Sequence, residues 1–374
     1  MKGWALTQRP ERAIFPAILI LCAFGLVMIY SSSAVLGIAL AHSPGHFFEA
    51  QIPKMIVGLA LLLVFWRIDY HHLGGRVAWA GIILAIGSLL SILVLGGFRW
   101  VRIGSFSVQP SEFARVALVV FLASYLSRKE RVLESRRGGI FLVPGLVSLA
   151  IAGLVALQPN MSMAVLLMLL AVGILFLAGL PARWLLIGGA LAIVAALIVM
   201  KPYQWSRIFA FLGQGAKEAE HYQKDQSITA VGSGGLAGLG IGNGLQKYFF
   251  LPFPHTDFIL GIVGEETGLI GISLLFGVYG FLILMGVACA RRATDRFGTF
   301  LAAGLTWNLA MNVIVHGLVN LGLGPVTGVP LPFLSSGGSS LMANLLAMGI
   351  LLSVARRAVS ARSRDWAAFP GNAG

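Results

Sequence analysis

Residues 14–37 read IFPAILILCAFGLVMIYSSSAVLG, a stretch without a single charged side chain. A helix rises about 1.5 Å per residue and about 20 apolar residues cross the hydrocarbon of a bilayer, so this stretch alone predicts a membrane-spanning helix. Basic Lys2, Arg9 and Arg12 precede it and Ala39-Leu40-Ala41 follows, as in a secretory signal. The apolar region of such a signal spans only about 7 to 15 residues. The longer run here reads as an uncleaved anchor.

Outward from this stretch, further apolar runs lie near 53–66, 77–95, 111–126, 140–157, 161–178, 184–200, 258–290, 299–321 and 339–355. The expectation is an all-α integral membrane protein of about ten transmembrane helices. It divides into a cytoplasmic segment 1–13, a single polytopic membrane domain 14–355 and a cytoplasmic tail 356–374, polar and expected to be disordered from Ser360 on. Composition agrees, since 57% of the 374 residues are hydrophobic and 11% charged, against roughly 25% charged in soluble chains. Cys22 and Cys289 sit inside apolar runs and behave as small hydrophobes rather than disulfide partners.

A net charge of +13 would suggest a nucleic-acid partner in a soluble protein. Here the charge sorts by side. With the N-terminus inside, the inner segments hold Arg67, Arg76, the run from Arg128 to Arg137, Arg291, Arg292, Arg296, Arg356 and Arg357. That is the positive-inside bias, reinforced by anionic headgroups, and it predicts both termini in the cytoplasm. One large extracytoplasmic loop, about 201–256, joins helices 7 and 8. No nucleic-acid partner is expected, and no internal duplication of the kind found in many transporters is visible.

A charge near the centre of a membrane helix costs roughly 2.5 to 3.5 kcal/mol, so polar residues in apolar surroundings carry the information. Four clusters fall toward the outer ends of helices. In the first, Phe98-Arg99-Trp100 leads to Gln109-Pro110-Ser111-Glu112-Phe113-Ala114-Arg115. Pro110 suits a first helical turn, and Glu112 and Arg115, three apart, can pair on one face as a structural ion pair or serve a substrate. The second, Gln158-Pro159-Asn160, reads as a turn. The third is the loop 201–256, whose glycines from Gly232 to Gly244 follow no strand and fail the context of a dinucleotide site; they predict close approach of backbone to a ligand or another helix.

After that loop, His255-Thr256-Asp257-Phe258 enters a helix carrying Glu265 and Glu266. Asp257 could simply cap the helix. At about 100° per residue, Glu265 lies about 80° round from Asp257 and Glu266 about 180° away, so the two glutamates are not expected to serve one cavity. The fourth cluster runs from Gly324 to Ser340, with Pro325, Pro330 and Pro332 breaking any helix and Ser335 and Ser339 offering hydroxyls. Non-helical backbone at this depth is tolerated only where protein or a water-filled cavity satisfies it.

Together these residues resemble the SEDS family (shape, elongation, division and sporulation), which includes FtsW and RodA. The matching blocks are Arg99-Trp100 with Gln109-Pro110-Ser111-Glu112, Gln226-Ser227 with Gly234-Gly235, and Gln246-Lys247 with Leu251-Pro252. His255-Thr256-Asp257-Phe258 with Gly264-Glu265-Glu266, and Pro325-Val326-Thr327-Gly328 through Gly337-Gly338-Ser339-Ser340, complete the set. Gly242-Asn243, Gln246-Lys247 and Gly264-Glu265-Glu266 look more like the division branch, FtsW, than the elongation branch, RodA. Two positions depart: the family usually has Asp where Asn160 stands, followed by Gly-Thr where Ser162-Met163 stand, and Tyr where Ser336 stands.

The resemblance implies a peptidoglycan glycosyltransferase of the bacterial cytoplasmic membrane that polymerises lipid II at its outer face by an inverting transfer, with undecaprenyl pyrophosphate leaving. It assigns the catalytic carboxylate to Asp257, with His255 the nearest rival base; Asp257 would need desolvation to raise its basicity. Arg99, Arg115 and Lys247 are expected to hold the pyrophosphate, and Glu112, His255, Glu265, Ser335 and Ser339 complete the candidate substrate-binding set. No metal ligand set is evident, and whether a divalent cation takes part stays open. The implied partners are a class B penicillin-binding protein and other divisome or elongasome membrane proteins. A lipid II flippase and a non-catalytic scaffold of the cell-wall machinery are the alternatives; the concentration of polar residues toward the outer leaflet rather than the midplane disfavours transport.

Overall fold

The computed structural model describes residues 10–94, 96, 99–103, 106–128, 138–184, 186–190, 200–211 and 218–367. Its elements in chain order begin with α1 (Glu11–Ala41), α2 (His46–Arg67) and α3 (Arg76–Val94), then strands β1 (Val101–Ile103) and β2 (Phe106–Val108). There follow α4 (Pro110–Ser127), α5 (Leu142–Leu157), α6 (Met161–Leu177), α7 (Pro202–Phe211) and α8 (Glu218–Ser233), then α9 (Ile259–Arg292), α10 (Arg296–Asn320) and α11 (Gly338–Ala367). Eight of the described helices are long and apolar enough to cross a membrane, and α6 is a shorter apolar helix. The expected span at 184–200 falls largely outside the described residues.

The core forms around α11, which is buried along nearly its whole apolar length and packs most extensively on α2. Two glycines permit that approach. A Cβ on Gly58 would stand 2.5 Å from Leu345 Cδ1, and one on Gly349 2.5 Å from the Leu62 carbonyl oxygen. One end of the bundle is closed by a polar layer in which Arg357 pairs with Asp69 and Tyr70 donates to Asp295. There Arg356 also donates to the Arg67 carbonyl (2.9 Å), and Gly75 N to Ser124 Oγ (2.8 Å).

Helix α9 is broken at Gly268 (φ 66°, ψ −167°). The backbone groups freed by the break are taken up by the glycine-rich segment. Leu239 N and Gly240 N donate to the carbonyls of Glu265 and Glu266, and Leu269 N and Ile270 N donate to those of Gly235 and Leu236, at 2.9 to 3.1 Å. The close approach expected of these glycines is thus to another helix. A Cβ on Gly234 would lie 2.0 Å from Gly264 O, and one on Gly238 2.3 Å from Glu266 O.

Three features go beyond the expectation. Val101–Ile103 and Phe106–Val108 form an antiparallel hairpin pairing Val101 with Val108 and Ile103 with Phe106. The segment 201–256 contains α7 and α8; polar α8 carries no apolar run, and it is held because Gly261 and Gly264 let it settle on α9, with Val231 Cα 3.1 Å from where a Gly264 Cβ would stand. Finally, α11 continues to Ala367, into the stretch expected to be a disordered tail.

Candidate active site

Asp257 lies at the mouth of α9, with a backbone fixed by contacts to distant residues. Three successive carbonyls are held: His255 O accepts from Ser336 N (2.9 Å), Thr256 O from Ser335 Oγ (2.7 Å) and Asp257 O from Asn320 Nδ2 (3.1 Å). Ser335 Oγ in turn accepts from Leu331 N (2.9 Å). The non-helical segment that supplies these contacts is itself satisfied by helices. His316 Nδ1 donates to Val329 O (2.8 Å), Tyr279 OH donates to Pro332 O, and an Arg207 guanidinium nitrogen lies 3.4 Å from Val326 O. The proline-rich stretch is therefore a rigid wall, as the solvation argument required. The usual tyrosine is dispensable at Ser336 in one respect, because position 336 reaches His255 through its backbone.

The Asp257 carboxylate, partly buried, faces this wall; a Cβ on Gly328 would stand 3.6 Å from its Oδ2. Burial pushes the carboxyl up to about 6, while Arg207 and then Arg99 pull it back down. His255 moves the other way. Its ring is buried against Phe47 (centroids 4.5 Å apart), and burial pushes it down to about 4. Near neutral pH a neutral His255 is then the weaker base of the two, reversing the order of the free side chains. Asp257 makes no side-chain capping bond to α9, whose capping position is Phe258.

Other expected residues lie away from Asp257. Glu112 and Arg115 form a 2.8 Å ion pair inside the bundle, 2% and 1% exposed, and Arg115 also donates to Asn312 Oδ1 (2.6 Å) and Asn344 Oδ1 (3.5 Å). The pair ties α4 to α10 and α11. Ser339 is buried, and its hydroxyl has no partner among the described residues.

Lys247, Glu265 and Glu266 meet under the glycine-rich segment. Lys247 Nζ pairs with Glu266 Oε1 (2.9 Å) and donates to Gly242 O (2.5 Å), and Ser31 Oγ of α1 donates to both Glu266 oxygens (2.6 and 2.7 Å). Glu265 accepts from Leu245 N (2.7 Å) and Gln246 N (3.2 Å). The two glutamates take different partners, since adjacent carboxylates diverge by about 100°, and the loop 242–247 wraps the edge of the helix far enough to supply a partner to each.

Arg207 and Ser31 were not singled out from the sequence. For Ser31 a signal existed, since Ser31-Ser32-Ser33 interrupts an apolar run. Arg207 sits in a polar loop, where one arginine looks like any other. Asn160, where the family usually has Asp, ends the turn between α5 and α6, and Gln158 Nε2 anchors that turn to Leu89 O (2.8 Å). Among the described residues no group of three or more His, Cys, Asp or Glu is placed to hold a metal ion.

The chain is 38% identical over 346 residues to the probable peptidoglycan glycosyltransferase FtsW of Trichlorobacter lovleyi, covering 89% of this chain and 90% of that protein. It is 34% identical over 359 residues to stage V sporulation protein E of Bacillus subtilis, covering 93% and 97%. Its fold matches a chain of a peptidoglycan synthase complex that coordinates polymerization and crosslinking (TM-score 0.73, 28% identity, 92% of this chain and 97% of that one). It also matches the rod shape determining protein RodA of Thermus thermophilus (TM-score 0.67, 25% identity, 92% and 96%). Residues 12–360 match the family of FtsW, RodA and SpoVE, described as cell cycle proteins, and this multi-pass membrane protein belongs to that family.

Proposed function

We propose that this chain is a peptidoglycan glycosyltransferase that polymerises lipid II into glycan strands at the outer face of the bacterial cytoplasmic membrane, for division or cell shape. The 4-hydroxyl of one lipid-linked disaccharide gives its proton to Asp257 as its oxygen attacks the anomeric carbon of another. The bond from that carbon to the diphosphate breaks with inversion, and undecaprenyl pyrophosphate leaves. A sugar hydroxyl is a poor nucleophile, and a positioned base contributes about 10² to 10⁴ in rate. The observation that carries this reading is a carboxyl raised to about 6 by burial, on a backbone held at three successive carbonyls.

The charge on the leaving diphosphate calls for cations. Arg99 and Arg207 are the ones whose field reaches Asp257, and this reading gives them the role; Arg115 and Lys247 already answer to Glu112 and Glu266. His255, Ser335 and Asn320 position the base. In the membrane, the end of the bundle carrying Arg356 and Arg357 faces the cytoplasm with both termini, residues 14–355 form one domain, and the segment 201–256 lies outside. A class B penicillin-binding protein is the partner that would cross-link the product. Incubating the purified protein with lipid II, with and without that partner, tests the proposal: glycan polymer is expected, and its absence under both conditions would refute it.

A further inference from the structure

Lys54 stands two turns into α2, inside a span, and no carboxylate pairs with it among the described residues. A long lysine stem can carry its ammonium out to the interface. This one packs instead on the start of α11, its Cγ, Cδ and Cε lying 2.6 to 3.2 Å from where a Cβ on Gly338 would stand. The first turn of that 30-residue helix presents unpaired N–H groups and the positive end of the helix dipole. The stem of a cation therefore packs on the positive end of a helix, an arrangement that favours an anion joining the two.

A second observation points to the same place. Gln51 is 1% exposed, and neither Nε2 nor Oε1 has a hydrogen-bond partner among the described residues. It lies one turn from Lys54, whose stem packs on Gly338, and one turn from Phe47, whose ring packs on His255, so the three residues share one face of α2. Ser339, in the first turn of α11, has a buried hydroxyl likewise without a partner. An ammonium, an amide, a hydroxyl and helix N–H groups are all donors, the set that an oxyanion takes. Val57, one turn from Lys54 on α2, is exposed.

We propose that Lys54, Gln51 and the first turn of α11 form a second anion subsite, separate from Arg99 and Arg207, that takes the diphosphate of a polyprenyl-linked substrate. The subsite rests on the glycosyltransferase reading, in which two lipid-linked sugars must be held at once. It shares a wall with Asp257, since Ser335 and Ser336 bind the Thr256 and His255 carbonyls just before Gly338. The charges that act on Asp257 come from Arg207 and Arg99.

The test uses the full chain in lipid nanodiscs, with equilibrium binding of a polyprenyl diphosphate in one arm and inorganic pyrophosphate in the other. Lys54→Gln is expected to weaken polyprenyl diphosphate binding roughly tenfold and Lys54→Arg to restore it, the size expected for one charge-assisted contact. Gln51→Leu, which keeps the charge, is expected to weaken it in the same direction, so the subsite stays testable if Lys54→Gln does not fold. Pyrophosphate binding with the same dependence on Lys54 would support the subsite and assign its recognition to the diphosphate alone. Wild-type affinity for both probes in Lys54→Gln and Gln51→Leu would overturn the proposal. Lys54-dependent binding without any polymer from lipid II would sink the glycosyltransferase reading and leave the subsite standing, whereas normal polymer with Lys54-independent binding would do the reverse.

Discussion

Replacing Asp257 with asparagine separates a catalytic carboxylate from one that merely starts a helix. The three carbonyl contacts at His255, Thr256 and Asp257 are made by backbone and survive the change. Burial raises the carboxyl from 3.8 to about 6, which is ~3 kcal/mol against the ionised form. Because the folded value is raised, its contribution to stability is fully present below the unfolded value near 3.8 and is lost as pH rises through about 6. At pH 7.5 the asparagine variant, with no charge to desolvate, should therefore unfold at the same temperature or higher. Its polymerising activity should fall by about 10² to 10⁴. In the wild type, activity should rise with pH through about 6 and then level, since the base must be ionised. The assay is glycan polymer formed from lipid II by purified protein with its partner, run from pH 5 to 8 beside a thermal unfolding measurement. Near-normal polymer from Asp257→Asn, or a flat wild-type profile through pH 6, would refute the assignment.

Arg207→Gln and Arg99→Gln remove charges that pull Asp257 down, so the rising limb of the pH profile should move to higher pH, Arg207→Gln more than Arg99→Gln, as read from the midpoint of activity against pH. Lys247→Met strands the buried Glu266 charge and should cost about 3 to 5 kcal/mol, much of it recovered when Glu266→Gln is added, as followed by thermal unfolding in detergent. Gly234→Ala would set a Cβ 2.0 Å from the Gly264 carbonyl and should abolish monodisperse protein, while Gly277→Ala in α9, where nothing lies within 4 Å, should leave the yield unchanged.

How much of this could be read from the residues depends on the range of the force involved. Spans such as 14–37 and 77–95 are legible because the cost of burying a charge in lipid acts on each residue separately, and α1 and α3 fall there. Helix α8 is illegible by the same rule, since a polar helix gives no apolar run and owes its place to Gly261 and Gly264 on another element. The Asp257 motif could be found, but its basicity could not. The ranking of Asp257 over His255 comes from burial, and a residue packed on the His255 ring is Phe47, far away in sequence. Lys247 and Glu266 were visible as charges, but their pairing requires a loop folded back over a broken helix and a serine from α1.

On the proposed function, the same consideration explains why the base and the cations sit on different kinds of element. Proton transfer demands that the base lie within about 2.6 to 3.2 Å of the hydroxyl, so an ångström of play would undo it. Asp257 accordingly stands between residues fixed to α10 and to the Pro325–Ser336 wall. A Coulomb interaction falls only as the inverse of distance, so a cation facing a diphosphate tolerates such play. Arg99 is placed on the bend before the hairpin and Arg207 on α7, outside the packed bundle. Arg115 is the contrast. At 1% exposure, with Glu112, Asn312 and Asn344 around it, its guanidinium could reach a substrate only by leaving Glu112 charged and buried, a cost of about 3 to 5 kcal/mol. Arg115→Gln should therefore lower thermal stability while leaving the pH midpoint of activity near 6 in whatever folded protein remains, and a shifted midpoint with unchanged stability would place Arg115 at the substrate instead.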